Sequence, residues 1–158
     1  MFSQPTGILF DGTSLWVSDG GDNKLKRVDA ARGDVTETIQ FGDIETNSKP
    51  VFDGSNTWVP VKDGLAVVST STRARIVATL TGNGLDGVNS KAAFDGERVI
   101  VTNGINTPVS LWKATSLTPL GTVVLGSSKP PTGVCSDGLH FWITVNGPGT
   151  FDHLILRF

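Results

Sequence analysis

Apolar residues along this chain come in short runs, separated by turns rich in Gly, Asp and Asn. Between residues 5 and 41 the runs are "GILF", "LWVSD", "KLKRVDA" and "VTETIQF". The first two are almost continuously apolar, as strands covered on both faces are, and the last two alternate apolar and polar residues, as half-buried strands do. No stretch of 11 or more residues keeps a helical period. The pattern therefore predicts four β-strands and no helix.

The same pattern returns every 42 residues. Asp11, Asp53, Asp95 and Asp137 lie one period apart, and each is followed by glycine. Other columns keep this register: Phe10, Phe52 and Phe94; Trp16, Trp58 and Trp142, with Ile100 in the third place; Gly42, Gly84 and Gly126. Four antiparallel strands in a repeat of about 40 residues are typical of a propeller blade. We therefore predict an all-β fold, a single β-propeller domain with units at 5–46, 47–88, 89–130 and 131–158.

The last unit is shorter than the others. The 158 residues make three periods of 42 plus 32, so this unit ends level with Arg32 and should stop after its third strand, in "TFDHLILRF". The unpaired edge would carry Leu154, Leu156 and Phe158, and an apolar edge tends to recruit another chain. Two alternatives follow: a compact four-bladed propeller with a three-stranded last blade, or two chains joined in an eight-bladed ring. We favour self-association through this C-terminal edge strand.

Composition narrows the classes of function. Thirteen basic and fifteen acidic residues give a net charge of −2 without a run of like charge, so the sequence suggests neither nucleic-acid nor membrane binding. No signal peptide is visible at the start, which slightly favours the cytoplasm. The single cysteine, Cys135, excludes an internal disulfide and is predicted to be a small buried residue on a strand.

The first unit, "PTGILFDGTSLWVSDGGDNKLKRVDAARGDV", resembles the repeat of NHL, YVTN and gluconolactonase-like propellers. Those repeats begin with a small residue or Pro and continue with an inner strand, a "DG" turn, "lWV" and a polar loop. The resemblance covers nearly the whole chain and implies a propeller. It implies little about activity, because such propellers include lyases, lactonases and pure interaction scaffolds.

In the resembling families, ligands bind on the face opposite the Asp-Gly turns. The loops expected there include 42–49, 84–91 and 61–64, and "NSK" recurs in the first two. Lysines around one rim would attract a small anion such as a carboxylate or a sugar phosphate. The candidate ligand-binding residues are Asn47, Lys49, Lys62, Asn89 and Lys91. The alternative is that Asn or Ser only holds each loop and the Lys stem covers the blade edge.

A second candidate site comes from "VTNGIN" (101–106), which resembles the strand end where gluconolactonase-like propellers hold a divalent cation. Asp19 occupies the repeat position of Asn103, and Asn146 lies one place further on. The resemblance thus implies Ca²⁺ or Mg²⁺ held by Asp19, Asn103 and Asn146. The glutamate of those enzymes is missing, and Asn-Gly and Asp-Gly are also common hairpin turns. We expect no cofactor unless this site is real.

Two functions remain in view. The first is a non-catalytic module that binds a ligand or a protein, since a regular scaffold carries variable loops without an evident catalytic set. The second is a metal-assisted, lactonase-like hydrolase. His140 follows an Asp-Gly turn and His153 lies in an outer strand, so no histidine is expected on the loop face as a base. The balance favours a binding module over an enzyme.

Overall fold

The computed structural model describes residues 1–44, 48–104, 108–125, 130–146 and 154–158. The regular elements in these ranges are all strands. Within the same ranges there is no helix of the length and apolarity needed to cross a membrane.

The strands form four antiparallel sheets, each of which we call a blade. Blade 1 has β1 (Pro5–Phe10), β2 (Ser14–Asp19), β3 (Lys24–Asp29) and β4 (Val35–Gln40). Blade 2 has β5 (Val51–Phe52), β6 (Asn56–Val61), β7 (Gly64–Ser69) and β8 (Arg75–Leu80). Blade 3 has β9 (Asn89–Phe94), β10 (Arg98–Asn103), β11 (Val109–Lys113) and β12 (Thr118–Val123). Blade 4 has β13 (Pro131–Ser136), β14 (Phe141–Val145) and β15 (Leu154–Arg157).

Strands are paired in chain order within every blade, and the inner strands of successive blades pack together, β1 with β5, β5 with β9 and β9 with β13. The predicted fold class is confirmed: the chain is an all-β, four-bladed β-propeller whose last sheet has three strands.

Each repeated Asp-Gly forms the turn between the first two strands of a blade. The glycines have φ values of 96°, 97°, 104° and 90° in blades 1 to 4, a region that side chains rarely tolerate. In blade 1, Asp11 Oδ1 accepts hydrogen bonds from the backbone N–H groups of Thr13 (2.8 Å) and Ser14 (2.7 Å). Its Oδ2 accepts one from Trp16 Nε1 at 2.6 Å. The aspartate therefore fixes both the turn and the tryptophan.

The same hydrogen bond between tryptophan and aspartate is present in two other blades. Trp58 Nε1 donates to Asp53 at 2.6 Å, and Trp142 Nε1 donates to Asp137 at 2.8 Å. In blade 3, where Ile100 replaces the tryptophan, Arg98 supplies the donor and reaches Asp95 Oδ2 at 2.6–2.7 Å. The five-residue spacing of Asp and Trp is thus a side-chain hydrogen bond as well as a packing pattern.

Three apolar clusters lie between successive blades rather than inside any one blade. Between blades 1 and 2 the buried side chains include Trp16, Leu25, Val59 and Val61. Between blades 2 and 3 they include Trp58, Leu65, Val99 and Val101. Between blades 3 and 4 they include Ile100, Val109, Phe141 and Ile143. Every blade interface is therefore a layer of the core.

The last blade differs from the sequence prediction in register. Ile155 pairs with Thr144 as Leu25 pairs with Ser18, although ten residues separate the first two in the sequence and six separate the second two. Phe158 is therefore level with Val28, and the prediction that the unit ends level with Arg32 was wrong. A gapless count of the period could not detect this longer connection.

Two further expectations about blade 4 need correction. Of the three residues predicted for the exposed apolar edge, Leu154 is 44% exposed, but Leu156 and Phe158 are partly buried and pack against the cluster between blades 3 and 4. Cys135 lies on a strand as predicted, but its side chain is exposed rather than buried. It occupies the column of Leu9, Val51 and Ala93, which face the following blade, and no described residue covers that face of blade 4.

Candidate anion-binding site

Two of the predicted ligand-binding lysines lie side by side at the inner strands. Lys49, just before β5, forms a parallel β-bridge with Lys91 of β9. The Lys49 N–H donates to Ser90 O at 2.7 Å, and the Ala92 N–H donates to Lys49 O at 3.2 Å. Residues bridged in this way stand about 5 Å apart. The backbone of two neighbouring blades therefore fixes the two lysines as a pair, which we call the lysine pair.

The electrostatics of the lysine pair favour an anion. Lys49 is exposed and Lys91 is half-buried, and neither forms an ion pair with any carboxylate in the described ranges. Burial lowers the pKa of Lys91 below its usual value, and the charge of Lys49 lowers it further. Both effects disfavour the ammonium form, and the opposite charge of a bound anion would offset them. The arrangement can hold a carboxylate or phosphate group by charge and hydrogen bonding.

The polar residues of the "NSK" motif hold the backbone in place. Asn89 is fully buried, and its Nδ2 lies 2.9–3.2 Å from the carbonyl oxygens of Val61, Gly64 and Leu85. Ser48, also buried, donates through Oγ to Pro60 O at 2.7 Å. These contacts tie the lysine pair rigidly to blade 2 and leave Asn89 no surface to present to a ligand.

No contact among the described residues brings Lys62 to the lysine pair. Lys62 is exposed between β6 and β7, and its N–H donates to Asp43 O at 3.3 Å. Asn47 lies outside the described residues. Among the described residues, the candidate site therefore consists of Lys49 and Lys91.

The three predicted metal ligands occupy different environments. Asp19 is fully buried and accepts hydrogen bonds from the N–H groups of Ser3 (2.8 Å) and Gln4 (2.6 Å) and from Lys26 Nζ (2.7 Å). Burial alone would raise the pKa of Asp19, but the bonds from Lys26, Gln4 and Ser3 hold it below its usual value. The one carboxylate of the set is thus already neutralised by a lysine.

The two asparagines of that set differ from each other. Asn103 is buried and donates through Nδ2 to Gly84 O and Pro108 O, while its Oδ1 has no hydrogen-bond partner. Asn146 is exposed. Across the described ranges, no group of three or more His, Cys, Asp and Glu side chains is placed to hold a metal ion. The metal site stays a prediction.

Sequence reasoning missed the buried ion pair of Asp19 and Lys26. Lys26 Nζ also donates to Met1 O at 2.8 Å and lies 4.9 Å from the centroid of the Phe2 ring. A signal was present in the repeat columns, because Val61 and Val145 occupy the position of Asp19. A charge in a column whose other members are Val61, Asn103 and Val145 marks a place where the local surroundings differ.

Comparison with known proteins supports the fold and leaves the function open. No protein-family model matches the chain, and no curated protein matches it by sequence. Hydrazine synthase of Kuenenia stuttgartiensis superposes with a TM-score of 0.81 over 99% of this chain and 46% of its own, at 16% identity. U3-55K superposes with a TM-score of 0.77 over 98% of this chain and 51% of its own, at 13% identity.

The β-propeller domain of Cps50 (Swd1) from Myceliophteria thermophila gives a TM-score of 0.69 over 91% of this chain and 50% of its own, at 13% identity. At such identities the similarity shows the β-propeller fold alone. The chain spans about half the length of each of these three structures. The narrower resemblance to NHL and YVTN repeats stays a prediction.

Proposed function

We propose that this chain is a non-catalytic binding module, a rigid propeller frame that holds a small anionic ligand at the lysine pair. The β-bridge between Lys49 and Lys91 carries the proposal, because it sets two lysines beside each other on neighbouring blades, and neither pairs with a carboxylate among the described residues. Like charges in a partly buried place are unfavourable unless an anion joins them. Propeller domains such as that of Swd1 are consistent with a frame of this kind.

The proposal is tested by titrating the protein with citrate and with inorganic phosphate in a calorimeter at pH 7. We expect Lys49→Ala and Lys91→Ala each to weaken binding about fivefold or more, because each removes one of the two charges that hold the anion. A fivefold change corresponds to about 1 kcal/mol. Lys113→Ala is the matched control, because Lys113 is partly exposed and its Nζ lies 3.7 Å from Glu97 on the outer part of blade 3. Its effect should stay within about twofold.

The pH dependence gives a second readout. Because the pKa of Lys91 is lowered, its charge is lost at a lower pH than that of an ordinary lysine. As the pH is raised, anion affinity should therefore begin to fall earlier than an ordinary lysine would allow, and Lys91→Arg should hold it to higher pH. Equal affinity of wild type and Lys91→Ala for both anions would contradict the proposal.

A further inference from the structure

The three internal blade interfaces follow one packing rule. The residue in the Trp16 column of each blade packs in the same cluster as the residue in the Val17 column of the next blade. The pairs are Trp16 with Val59, Trp58 with Val101, and Ile100 with Ile143. Each blade therefore has a forward face, turned to the next blade, and a backward face, turned to the preceding one.

The forward face of blade 4 is built like the others but is uncovered. Leu25, Leu65 and Val109 on the third strands of blades 1 to 3 are each 0% exposed. Ile155, in the same place by its pairing with Thr144, is 69% exposed. Trp142 is half-exposed and Cys135 is exposed on this face, whereas Trp16 and Trp58 are fully buried.

The backward face of blade 1 is uncovered in the same way. Ile8 is 66% exposed and Phe10 is 57% exposed. One period later Pro50 is buried beside Gly7 of blade 1, and Phe52 is half-buried. Together with Val17, the exposed Ile8 lines an apolar groove on this face, whose other walls are Phe2, Pro5, Thr6 and Gly7.

The N-terminal residues cover only one part of this backward face. Met1 and Phe2 lie over Lys26, and the N–H groups of Ser3 and Gln4 bind Asp19. This shields the buried ion pair, and Ile8 and Phe10 stay exposed beside it. The surface left open is the inner-strand part, where the internal interfaces bring β1 against β5 and β9 against β13.

We propose that the forward face of blade 4 packs on the backward face of blade 1 of a second copy of this chain. Both faces are exposed at once in a single chain, so they do not cover each other internally. A second copy carries both surfaces, and two copies related by a twofold axis would cover all four at once. Such an arrangement closes into a ring of eight blades instead of growing into an open polymer. The pairing is independent of any anion at the lysine pair.

The test is the mass of the chain in solution, measured by light scattering coupled to gel filtration. We expect twice the 16.7 kDa of one chain for the wild type. Ile8→Arg and Ile155→Arg should each give a single-chain mass, because each buries an arginine without a partner at both contacts. Val77→Arg is the matched control: Val77 is 45% exposed on the outer strand of blade 2, away from both end faces.

Mixing the two interface variants gives a sharper result than either variant alone. A pair made of one Ile8→Arg chain and one Ile155→Arg chain has one contact between two unaltered faces. We expect the mixture to recover part of the double mass, which general unfolding of either variant would not produce. A single-chain mass for the wild type, or double mass retained by both variants, would overturn the proposal.

The thiol of Cys135 reports the same contact without a disruptive substitution. It should react slowly with a thiol reagent in the wild-type pair and faster in Ile8→Arg, where blade 4 is uncovered. An equal rate in the two proteins would place the contact elsewhere on the molecule and contradict the proposal.

Discussion

At the scale of single residues, the aspartate of the Asp-Gly turn has two structural roles. Its Oδ1 holds the backbone of the turn, and its Oδ2 accepts the indole N–H of a tryptophan that packs between blades. In blade 2 Asp53 has both roles. Trp58 is fully buried, so its indole N–H depends on Asp53 rather than on water for an acceptor. The turn and the blade interface are therefore coupled through one side chain.

Replacing this aspartate should lower the free energy of unfolding, because it removes the hydrogen bonds to the turn and to the tryptophan together. Asp53→Ala leaves the Trp58 N–H and two backbone N–H groups without acceptors, so we expect a loss of about 2–3 kcal/mol in the free energy of unfolding. Urea denaturation measures it. Asp86→Ala is the control, because Asp86 also precedes a glycine but is exposed and lies outside the repeat column; its loss should stay below about 0.5 kcal/mol.

The acid sensitivity of the fold should depend on these turns. Burial alone would raise the pKa of Asp11, but the hydrogen bonds from Trp16, Ser14 and Thr13 lower it from 3.8 to about 2. A carboxylate with a lowered pKa in the folded state stabilises the fold above its unfolded pKa. That stabilisation is lost as the pH falls from about 4 to about 2.

We therefore expect Asp11→Asn to be less stable than the wild type at pH 7 and the difference to shrink between pH 4 and pH 2. Thermal unfolding of both proteins across this range measures the difference. A gap that stays constant down to pH 2 would show that the carboxylate charge is not what holds the turn.

At the scale of the strand, blade 1 carries a buried ion pair where blade 2 carries apolar residues. Asp19 and Lys26 on β2 and β3 occupy the positions of Val61 and Ala66 on β6 and β7. Lys26 Nζ lies 2.7 Å from Asp19, and both side chains are almost completely buried. Breaking such a pair leaves one charge buried without a partner, whereas replacing both charges by apolar groups can be nearly neutral.

This distinction gives a test by double substitution. Lys26→Met should lower the free energy of unfolding by about 3–5 kcal/mol, and Asp19→Val with Lys26→Ala together should cost clearly less. Lys24→Met is the control, because Lys24 forms a partly exposed ion pair 3.7 Å from Asp22 and should contribute less than about 1 kcal/mol. A double variant as unstable as Lys26→Met alone would contradict this account of the pair.

The repeat columns explain which elements could be predicted from the sequence. The same residue types recur at fixed spacing, as at Asp11 and Trp16, because each blade packs on the next through the same positions. The four sheets and the three strands of the last one could therefore be predicted. The exposure of Cys135 could not be predicted, because the burial of this strand position depends on whether another blade packs against it. The same strand position is core between two blades and surface at an end.

The candidate site was predictable only in part. The lysine pair followed from the recurrence of "NSK" one period apart, since equal positions in successive blades lie side by side. The inward direction of Asn89 and the neutralisation of Asp19 by Lys26 depend on contacts between strands that the repeat does not encode. A repeat position predicts which residues are neighbours on successive blades. Their hydrogen-bond partners can be identified only from the pairing of strands in the structure.

At the scale of the whole molecule, the four blades form an array with two apolar ends. Ile155 at one end and Ile8 at the other are each about two-thirds exposed, although their repeat positions are covered inside the array. In the arrangement proposed above, a second copy of the chain supplies the blade faces that cover these two ends.

Small-angle X-ray scattering of the wild-type chain tests this central claim most directly, because it reports mass and shape together. Two copies in one ring should give the forward scattering of twice 16.7 kDa and a radius of gyration of about 20 Å. A single-chain mass with a radius of gyration of about 15 Å, unchanged as the protein concentration rises, would contradict the claim that the end faces of blades 1 and 4 join two copies.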